Sequence, residues 1–225
     1  MPSVSCFIVH NLPPNSNPVK LFDLAMSDLA ENVLAFWFGV PGSAAEVAGR
    51  QTKLWFGKSP ANDQAVSERF TATLAAATAG GLDHWAHTPR GRLALVIVLD
   101  QFPHHIHRGQ PQAFATDPQS LALSLAALET GEDRKLAPIE RVFLYLPLEH
   151  AESLEMQEQS VALYEQLARE AAADESALFD NFLDYARKHR DVVARFGRFP
   201  HRNAILGRPS TPDEVEFLKQ PGSRF

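Results

Sequence analysis

Apolar side chains recur every three or four residues along most of this chain, which is the spacing of one face of an α-helix. The first such stretch covers residues 27–38, with Ser27 as a candidate N-cap and Gly39 as a candidate stop. Turn residues separate the stretches that follow. The pattern predicts further helices over 44–56, 63–79, 89–102, 117–130, 138–146, 151–172, 175–196 and 212–219.

The most apolar run of the chain, residues 93–99, fits either a buried strand or a buried helix. Its β-branched residues favour a strand, but the sequence offers no second strand to pair with it. We therefore predict a buried helix that ends before Pro103. A second proline, Pro147, is expected to end the helix that Pro138 opens, at Leu146.

Short turns join these helices, of which we expect about eight to ten, so successive helices should pack as antiparallel pairs. The sequence predicts an all-α fold with a single domain over residues 26–225. Residues 1–25 differ because prolines interrupt any helical spacing there. We expect either a loosely ordered extension or a start assigned too early, and an arm docked on the body is the alternative.

Composition narrows the class of protein. The chain has 225 residues, 45% hydrophobic and 21% charged, which is typical of a globular and not of a disordered protein. The formal net charge of −6 argues against non-specific binding to nucleic acid. A single cysteine, Cys6, excludes an intrachain disulfide and a cysteine-based zinc site. Without a membrane-spanning run or a signal-peptide pattern, we expect a cytoplasmic protein that does not bind membranes.

Three segments carry side chains suited to chemistry, and the first covers residues 99–108. Asp100 ends the apolar run, where an unpaired carboxylate is costly, so it is either paired or has a raised pKa. It could act as an acid or base or position a ligand, or it could form a salt bridge or a helix cap. Arg108 is a candidate for binding an anion. Three histidines follow Pro103 and could bind a metal, but in a predicted loop they could equally be solvated, and we predict no metal and no cofactor.

The second segment covers residues 145–153, where Pro147 should break one helix before the next begins. Glu149, His150 and Glu152 then crowd a predicted helix start. Acidic side chains are favourable there by about 0.3–1 kcal/mol, so helix capping explains them. In the alternative, a neighbouring carboxylate orients His150 for proton transfer. The spacing is not that of a zinc protease.

The third segment covers residues 195–208 and has four arginines but no acidic residue. Its candidate ligand-binding residues are Arg195, Arg198, His201, Arg202, Asn203 and Arg208. Arginine is the preferred bidentate partner of carboxylates and phosphates. These arginines could pair with Asp100, Glu149 and Glu152 and so tether the C-terminal segment. At least two of them could instead stay unpaired in a cleft for an anionic ligand, and both hypotheses could hold together.

Four strings of the sequence resemble one bacterial family, the domain of unknown function nine-two-four. They lie at residues 99–103, 113–117, 145–150 and 195–208, and residues 33–39 and 221–225 add to the likeness. The resemblance runs from about residue 29 to the C-terminus. It implies an all-α, tetratricopeptide-like stack of helices, and it implies no activity. The family has Arg-Asn where this chain has His104-His105, which weakens a shared histidine metal site and leaves Arg108 as that segment's arginine.

These observations support three hypotheses about function. In the first, a polar cleft binds a small anionic ligand or an acidic peptide end, with Arg108, Glu152 and residues of the third segment as ligands. In the second, the protein is a hydrolase or transferase with Asp100, Glu149 and His150 as catalytic residues. In the third, it is a helical-repeat scaffold for protein interactions.

Overall fold

A computed structural model describes residues 29–223 of the chain. This part of the molecule is mostly helical and contains no β-strand, which confirms the predicted all-α class. The predicted N-terminal extension, 1–25, and the candidate cap Ser27 lie outside the described residues. None of the helices in the described range has the length and apolarity needed to cross a bilayer.

The helices follow one another with short connections. In chain order they are α1 (29–38), α2 (Ala44–Trp55), α3 (Pro60–Thr78), α4 (Pro89–Val96), α5 (Phe102–Ile106), α6 (Asp117–Thr130), α7 (Pro138–His150), α8 (Leu154–Glu170), α9 (Ser176–Phe196) and α10 (Pro212–Phe217). Short 3-10 segments lie at Asp83–His87, Pro111–Phe114, Glu132–Lys135 and Pro200–Arg202. α8 packs along α9 and against α7, as expected for helices joined by short turns. A tetratricopeptide-like stack stays a prediction.

Several caps lie where the sequence places them. The Thr88 hydroxyl accepts the Gly91 N–H at 3.1 Å, and the helix after Asp117 ends at Gly131, which has a φ of 68°. The predicted start of α3 at Asp63 is wrong. Ser59 caps that helix, and Pro60 occupies its first turn.

The apolar run forms α4 and then a π-helical turn, Ile97–Gln101, that leads directly into α5. The prediction of a buried helix is confirmed, but its predicted end before Pro103 is wrong. Proline has no N–H to offer the carbonyl of Leu99, four residues earlier. The Thr116 hydroxyl donates to that carbonyl at 2.5 Å, so the helix crosses the proline without leaving it unpaired.

The π turn is defined by the Phe102 N–H, which bonds the Ile97 carbonyl, five residues earlier. The turn and α5 together carry Asp100 and the histidines that follow it. His104 and His105 therefore lie on a helix, and the predicted loop there is wrong.

The predicted end of α7 at Leu146 is also wrong, because the helix runs through Pro147 to His150. Residues 141–149 are all buried, and this apolar packing outweighs the ~3 kcal/mol cost of an internal proline. The fully buried Gln157 caps the end of α7. Its Nε2 donates to the carbonyls of Leu148, Glu149 and Ala151, at 3.4, 2.6 and 2.8 Å.

Glu149 and His150 thus lie in the last turn of a helix and not at a helix start, as the sequence analysis expected. A protonated histidine is favourable at this end, because the helix dipole is negative there.

One apolar core joins α1 to α9, and large aromatic side chains dominate it. Among those with almost no exposed surface are Trp37, Phe102, Phe143, Tyr145 and Phe179. A second, smaller apolar group forms where the end of α9 meets the C-terminal segment, around Val192, Val193 and Phe199. The candidate site contacts the second group through Phe199, whose ring lies against His189 and Arg202.

Candidate functional site

A buried group of ionisable side chains lies where the π turn, α5, the start of α6, the end of α7, α9 and the segment Pro200–Arg202 meet. We call this group the polar cluster; its members are Asp100, His104, Asp117, Glu149, His150, His189 and Arg202. Four of them are candidates named from the sequence, namely Asp100, Glu149, His150 and Arg202. Three distant segments of the chain therefore do meet here.

The centre of the polar cluster is the pair formed by Asp100 and His150. Asp100 has no exposed surface, and its Oδ1 lies 3.0 Å from His150 Nδ1. Gln101 Nε2 donates to Oδ2 at 2.6 Å, and the Ser120 hydroxyl, which donates to the Asp117 carbonyl at 3.0 Å, also lies 3.5 Å from Oδ1. Burial opposes ionisation of Asp100, but the charge and hydrogen bond of His150 outweigh it and lower the pKa of the carboxyl.

His150 is the partly exposed member of this pair, with 17% of its side-chain surface accessible to solvent. Burial alone would lower the pKa of His150, but attraction to Asp100 and the hydrogen bond between them raise it. Nδ1 faces Asp100, and Nε2 forms no hydrogen bond to any residue of the described chain. Solvent or a ligand can therefore exchange protons with the pair through His150.

His104 lies beside this pair, with ring centroids 5.6 Å apart from His150 and 5.4 Å from Phe114. Burial, and next the charge of His150, lower the pKa of His104 to about 3, so the ring is neutral at ordinary pH. Its Nε2 is buried and has no hydrogen-bond partner within residues 29–223.

Glu149 and His189 form a second buried contact, with Oε1 and Nδ1 3.0 Å apart. His189 Nδ1 also lies 2.9 Å from the Tyr185 carbonyl. Burial, reinforced by Asp100, raises the pKa of Glu149 to about 8, and burial lowers the pKa of His189 to about 3. Both side chains are therefore mainly neutral near pH 7, which keeps a third negative charge out of the polar cluster.

Arg202 enters the polar cluster between two aromatic rings. Its guanidinium carbon lies 4.6 Å from the ring centroid of Phe114 and 4.8 Å from that of Phe199. Nη1 donates to Asp117 Oδ2 at 3.1 Å. Arg202 Nε and Asp117 Oδ1 are both buried without a partner among the described residues. Burial raises the pKa of Asp117 to about 6, even though Arg202 opposes the shift.

The other polar residues of the C-terminal segment tether it to the body. This tethering network consists of Glu152, Arg198, Asn203, Arg208 and Glu214. Arg208 binds Glu152 through both terminal nitrogens, at 2.6 and 2.8 Å, and the Phe199 N–H adds a third bond to the same carboxylate. Arg198 binds Glu214 through Nε and Nη2, at 2.7 and 2.8 Å. Asn203 joins the two pairs.

Two of the remaining predicted residues, Arg108 and Arg195, lie apart from the polar cluster. Arg108 is paired with Asp63, at 2.6 and 2.7 Å. Arg195 is exposed, with its guanidinium carbon 4.7 Å from the Phe196 ring centroid, and it makes no ion pair with the described residues. His201 lies at the edge of the polar cluster: it is half-buried, and its ring lies 5.6 Å from that of Phe199, which also contacts His189 and Arg202.

Two surface cavities lie outside the polar cluster. One, of about 410 Å³, is lined by Arg195, Phe196, Arg198, Thr211, Asp213 and Glu214. The other, of about 380 Å³, lies between the starts of α2, α7 and α9. Within the described range, no group of three or more His, Cys, Asp or Glu side chains is arranged to hold a metal ion.

Sequence reasoning missed three members of the polar cluster. Asp117 was assigned only to a helix start, and His104 only to a solvated loop or a metal site. His189 carried a usable signal, because it follows Ala186 by three positions and precedes Val193 by four, on the buried face of α9. A histidine on an apolar stripe is a candidate for a buried polar contact.

Taken together, the fold and the site define an all-α protein with a buried cluster of carboxylates and histidines around one arginine. The chain matches the family described as "Bacterial protein of unknown function (DUF924)" over residues 33–222, and it belongs to that family. This confirms the resemblance seen in the sequence. The family description names no activity.

One solved structure shares both fold and sequence with this chain. It is that of the protein of unknown function ATU0120 from Agrobacterium tumefaciens, with 36% identity and a TM-score of 0.73. The similarity covers 86% of this chain and 98% of that chain. Among curated proteins, none matches.

Proposed function

We propose that this protein binds a small anionic ligand at the polar cluster and that Arg202 holds the negative charge. One observation carries the proposal: Arg202 Nε is buried without a partner among the described residues, in a guanidinium that two aromatic rings hold in place. An unsatisfied buried donor costs about 1–3 kcal/mol. A ligand oxygen at Nε would remove that cost.

The orientation of the guanidinium favours an anion with two acceptor oxygens. Nη1 is engaged with Asp117, so the opposite edge, formed by Nε and Nη2, has no hydrogen bond to residues 29–223. This is the edge through which arginine binds carboxylates and phosphates in bidentate fashion. His150 lies in the same cluster, and Asp100 raises its pKa, which favours a second positive charge close by.

The proposal differs in detail from the cleft expected from the sequence. Arg198 and Arg208 belong to the tethering network, so Arg202 and His150 supply the charge, and the other arginines do not. Because Asp100 and Arg202 are buried, we restrict the ligand to a few atoms. The carboxylate of an acidic peptide end is a second possible ligand for the same edge. The proposal keeps the cytoplasmic location predicted from the sequence.

Thermal unfolding in the presence of small anions tests this function. The probes are propionate, sulfate and inorganic phosphate, compared with chloride at equal ionic strength. At about 100 times its dissociation constant, a bound anion should stabilise the protein by roughly 2.7 kcal/mol. We expect at least one probe to do so.

Arg202→Lys should weaken this stabilisation, because lysine keeps the charge but lacks the two-nitrogen edge. Arg195→Lys is the matched control, since Arg195 lies in the same segment but outside the polar cluster, and it should respond as the wild type does. No stabilisation of the wild type by any probe, or equal stabilisation of both variants, would overturn the proposal.

A second candidate function is acid–base catalysis, which the pair of Asp100 and His150 favours. A buried carboxylate that binds Nδ1 fixes the histidine ring and leaves Nε2 to transfer a proton. The Ser120 hydroxyl bonds Asp100 and not His150, so proton transfer, and not a serine nucleophile, is the chemistry that this geometry supports. The scaffold hypothesis stays a prediction.

If the protein is an enzyme of this kind, substrate turnover should depend on His150. A screen of carboxylate-bearing esters should yield hydrolysis by the wild type that His150→Gln abolishes, while anion binding at Arg202 is weakened but not lost. Absence of turnover, or turnover unchanged by His150→Gln, would count against the enzyme and leave the binding proposal intact.

A further inference from the structure

We propose that the ligand of the polar cluster is a small α-hydroxy or α-amino carboxylate, that is, a carboxylate with a hydrogen-bond donor on the adjacent carbon. This inference rests on the proposed function, because it takes the carboxylate to lie at Arg202. It goes further by using two more buried polar atoms of the polar cluster that lack a partner in the described part of the chain. These two atoms are Asp117 Oδ1 and His104 Nε2.

Asp117 Oδ1 requires a donor from the ligand. A carboxylate oxygen only accepts hydrogen bonds, and a buried acceptor left unsatisfied is costly. The other oxygen of the same carboxylate lies 3.1 Å from Arg202 Nη1, so Oδ1 stands next to the guanidinium. A ligand whose carboxylate binds Arg202 can therefore satisfy Asp117 only with a donor close to that carboxylate.

His104 Nε2 is a third unpartnered atom of the polar cluster, and its ring lies near Phe114. The Phe114 ring contacts both the His104 ring and the guanidinium of Arg202. Because His104 is neutral, Nε2 can donate to a ligand oxygen or accept from a hydroxyl, depending on the tautomer. The polar cluster therefore offers a ligand one donor, Arg202 Nε, one acceptor, Asp117 Oδ1, and one atom of either kind, His104 Nε2.

The charge of the polar cluster favours a carboxylate over a doubly charged anion. Asp100 balances His150, and Asp117 balances Arg202, while His104, His189 and Glu149 are neutral near pH 7. A phosphate dianion would lie close to two carboxylates and be repelled by both. A zwitterion or a monoanion adds at most one negative charge.

Three ligands of equal carbon number isolate the contribution of the donor. Propionate, L-lactate and L-alanine carry the same carboxylate and differ only in hydrogen, hydroxyl or ammonium on the α-carbon. Titration calorimetry with the full chain should give lactate or alanine a dissociation constant at least about tenfold below that of propionate, as one buried hydrogen bond implies. The preferred ligand identifies the donor.

Asp117→Asn assigns this preference to its residue. The amide must turn its oxygen towards Arg202, which places NH₂ where Oδ1 stood and repels an ammonium but not a hydroxyl. Alanine should lose its advantage over propionate, while lactate, whose hydroxyl can also accept, should keep part of its own. Asp213→Asn is the matched control, because Asp213 is an exposed acid that lines the surface cavity beside Arg195 and Arg198. This substitution should leave all three dissociation constants unchanged.

The outcomes separate this inference from the proposed function. If all three ligands bind with similar constants that Arg202→Lys weakens, anion binding stands and the α-donor is wrong. If none binds and phosphate and sulfate do not stabilise the protein, the proposed function fails as well. A preference for phosphate over all three carboxylates would also overturn the inference. The wild-type series is decisive even if Asp117→Asn does not fold.

Discussion

His150 Nδ1 lies 3.0 Å from Asp100 Oδ1, although fifty positions of sequence separate the two residues. The carboxylate is fully buried, whereas the imidazole retains 17% of its exposed surface. Each side chain stands on a helix that passes through a proline, Pro103 in one case and Pro147 in the other. The pair therefore depends on the contacts that carry both helices across those prolines.

Asp100→Asn should lower the pKa of His150 and destabilise the protein. The amide cannot balance a positive imidazole, and breaking a buried charged pair costs about 3–5 kcal/mol. Histidine NMR titration and urea unfolding measure the two effects. Asp184→Asn, which removes only an exposed pair with Lys188, should change stability by less than about 0.5 kcal/mol. An unchanged His150 titration would contradict the assigned pairing.

Stability should fall as pH rises from about 6.5 to about 8. Folded Glu149 has a pKa of about 8, so the native state keeps a proton that the unfolded chain releases near 4.5. The raised pKa of His150 acts in the same direction above 6.5. Each proton contributes up to about 1.4 kcal/mol per pH unit. Urea unfolding between pH 6.5 and 8 measures this slope, and Glu149→Gln should remove the part due to Glu149. A variant with the wild-type slope would show that Glu149 is already ionised.

Below pH 6.5, other groups determine how the stability of the folded protein changes with pH. His104 and His189 have pKa values of about 3, so the unfolded chain takes up their protons first and stability falls as pH drops from 6.5 to 3. Between 4.5 and 6 the raised pKa values of Glu149 and Asp117 oppose this loss. His189→Gln should therefore flatten the acid limb most clearly below pH 4.5. An acid limb as steep as that of the wild type would argue against a neutral buried His189.

Gln157→Met should cost about 1–3 kcal/mol, because it leaves carbonyls at the end of α7 unpaired in a buried place. The side chains have similar volume, so lost packing contributes little. Gln166→Met is the control, since Gln166 bonds only Glu170 at the surface. Urea midpoints measure both variants. Equal midpoints would mean that water replaces the Gln157 amide.

Thr116→Val should destabilise by about 1–3 kcal/mol, because it removes the only donor that reaches the Leu99 carbonyl from the described residues outside its own helix. The loss should shrink in a Pro103→Ala background, where the alanine N–H can bond that carbonyl. Thr71→Val, at an exposed threonine that also bonds a carbonyl, is the control. A double-mutant cycle without coupling between positions 103 and 116 would refute this account.

The helices and their caps followed from local sequence, because a cap such as Thr88 or Thr211 depends only on the residues beside it. The continuation of helices through Pro103 and Pro147 did not follow from local sequence. Donors far along the chain, such as Thr116, and burial of the whole of α7 decide those cases. A proline can be read as a stop from sequence only when no distant donor replaces its N–H.

The candidate site was predictable as a meeting of acidic and basic segments, but its members were not. The four arginines of the third segment look equivalent in sequence, and the structure places Arg202 alone of them inside the polar cluster. What distinguishes it is the pair of rings, Phe114 and Phe199, that meet only in the folded chain. The others are balanced by nearby acids or, for Arg195, lie at the surface.

Because of the π turn at Ile97–Gln101, the direction in which Asp100 points depends on the number of residues in this stretch as well as on their identity. Such a turn holds one residue more than a regular α-helix accommodates, and it thereby keeps Asp100 and α5 in phase with α4. An extra residue that the turn did not absorb would rotate the carboxylate by roughly 100° about the helix axis, away from α7. Homologues and designed variants that lack one residue of 97–99 should therefore form an ordinary α-helix there and keep the acid–imidazole contact, whereas an added residue should break it.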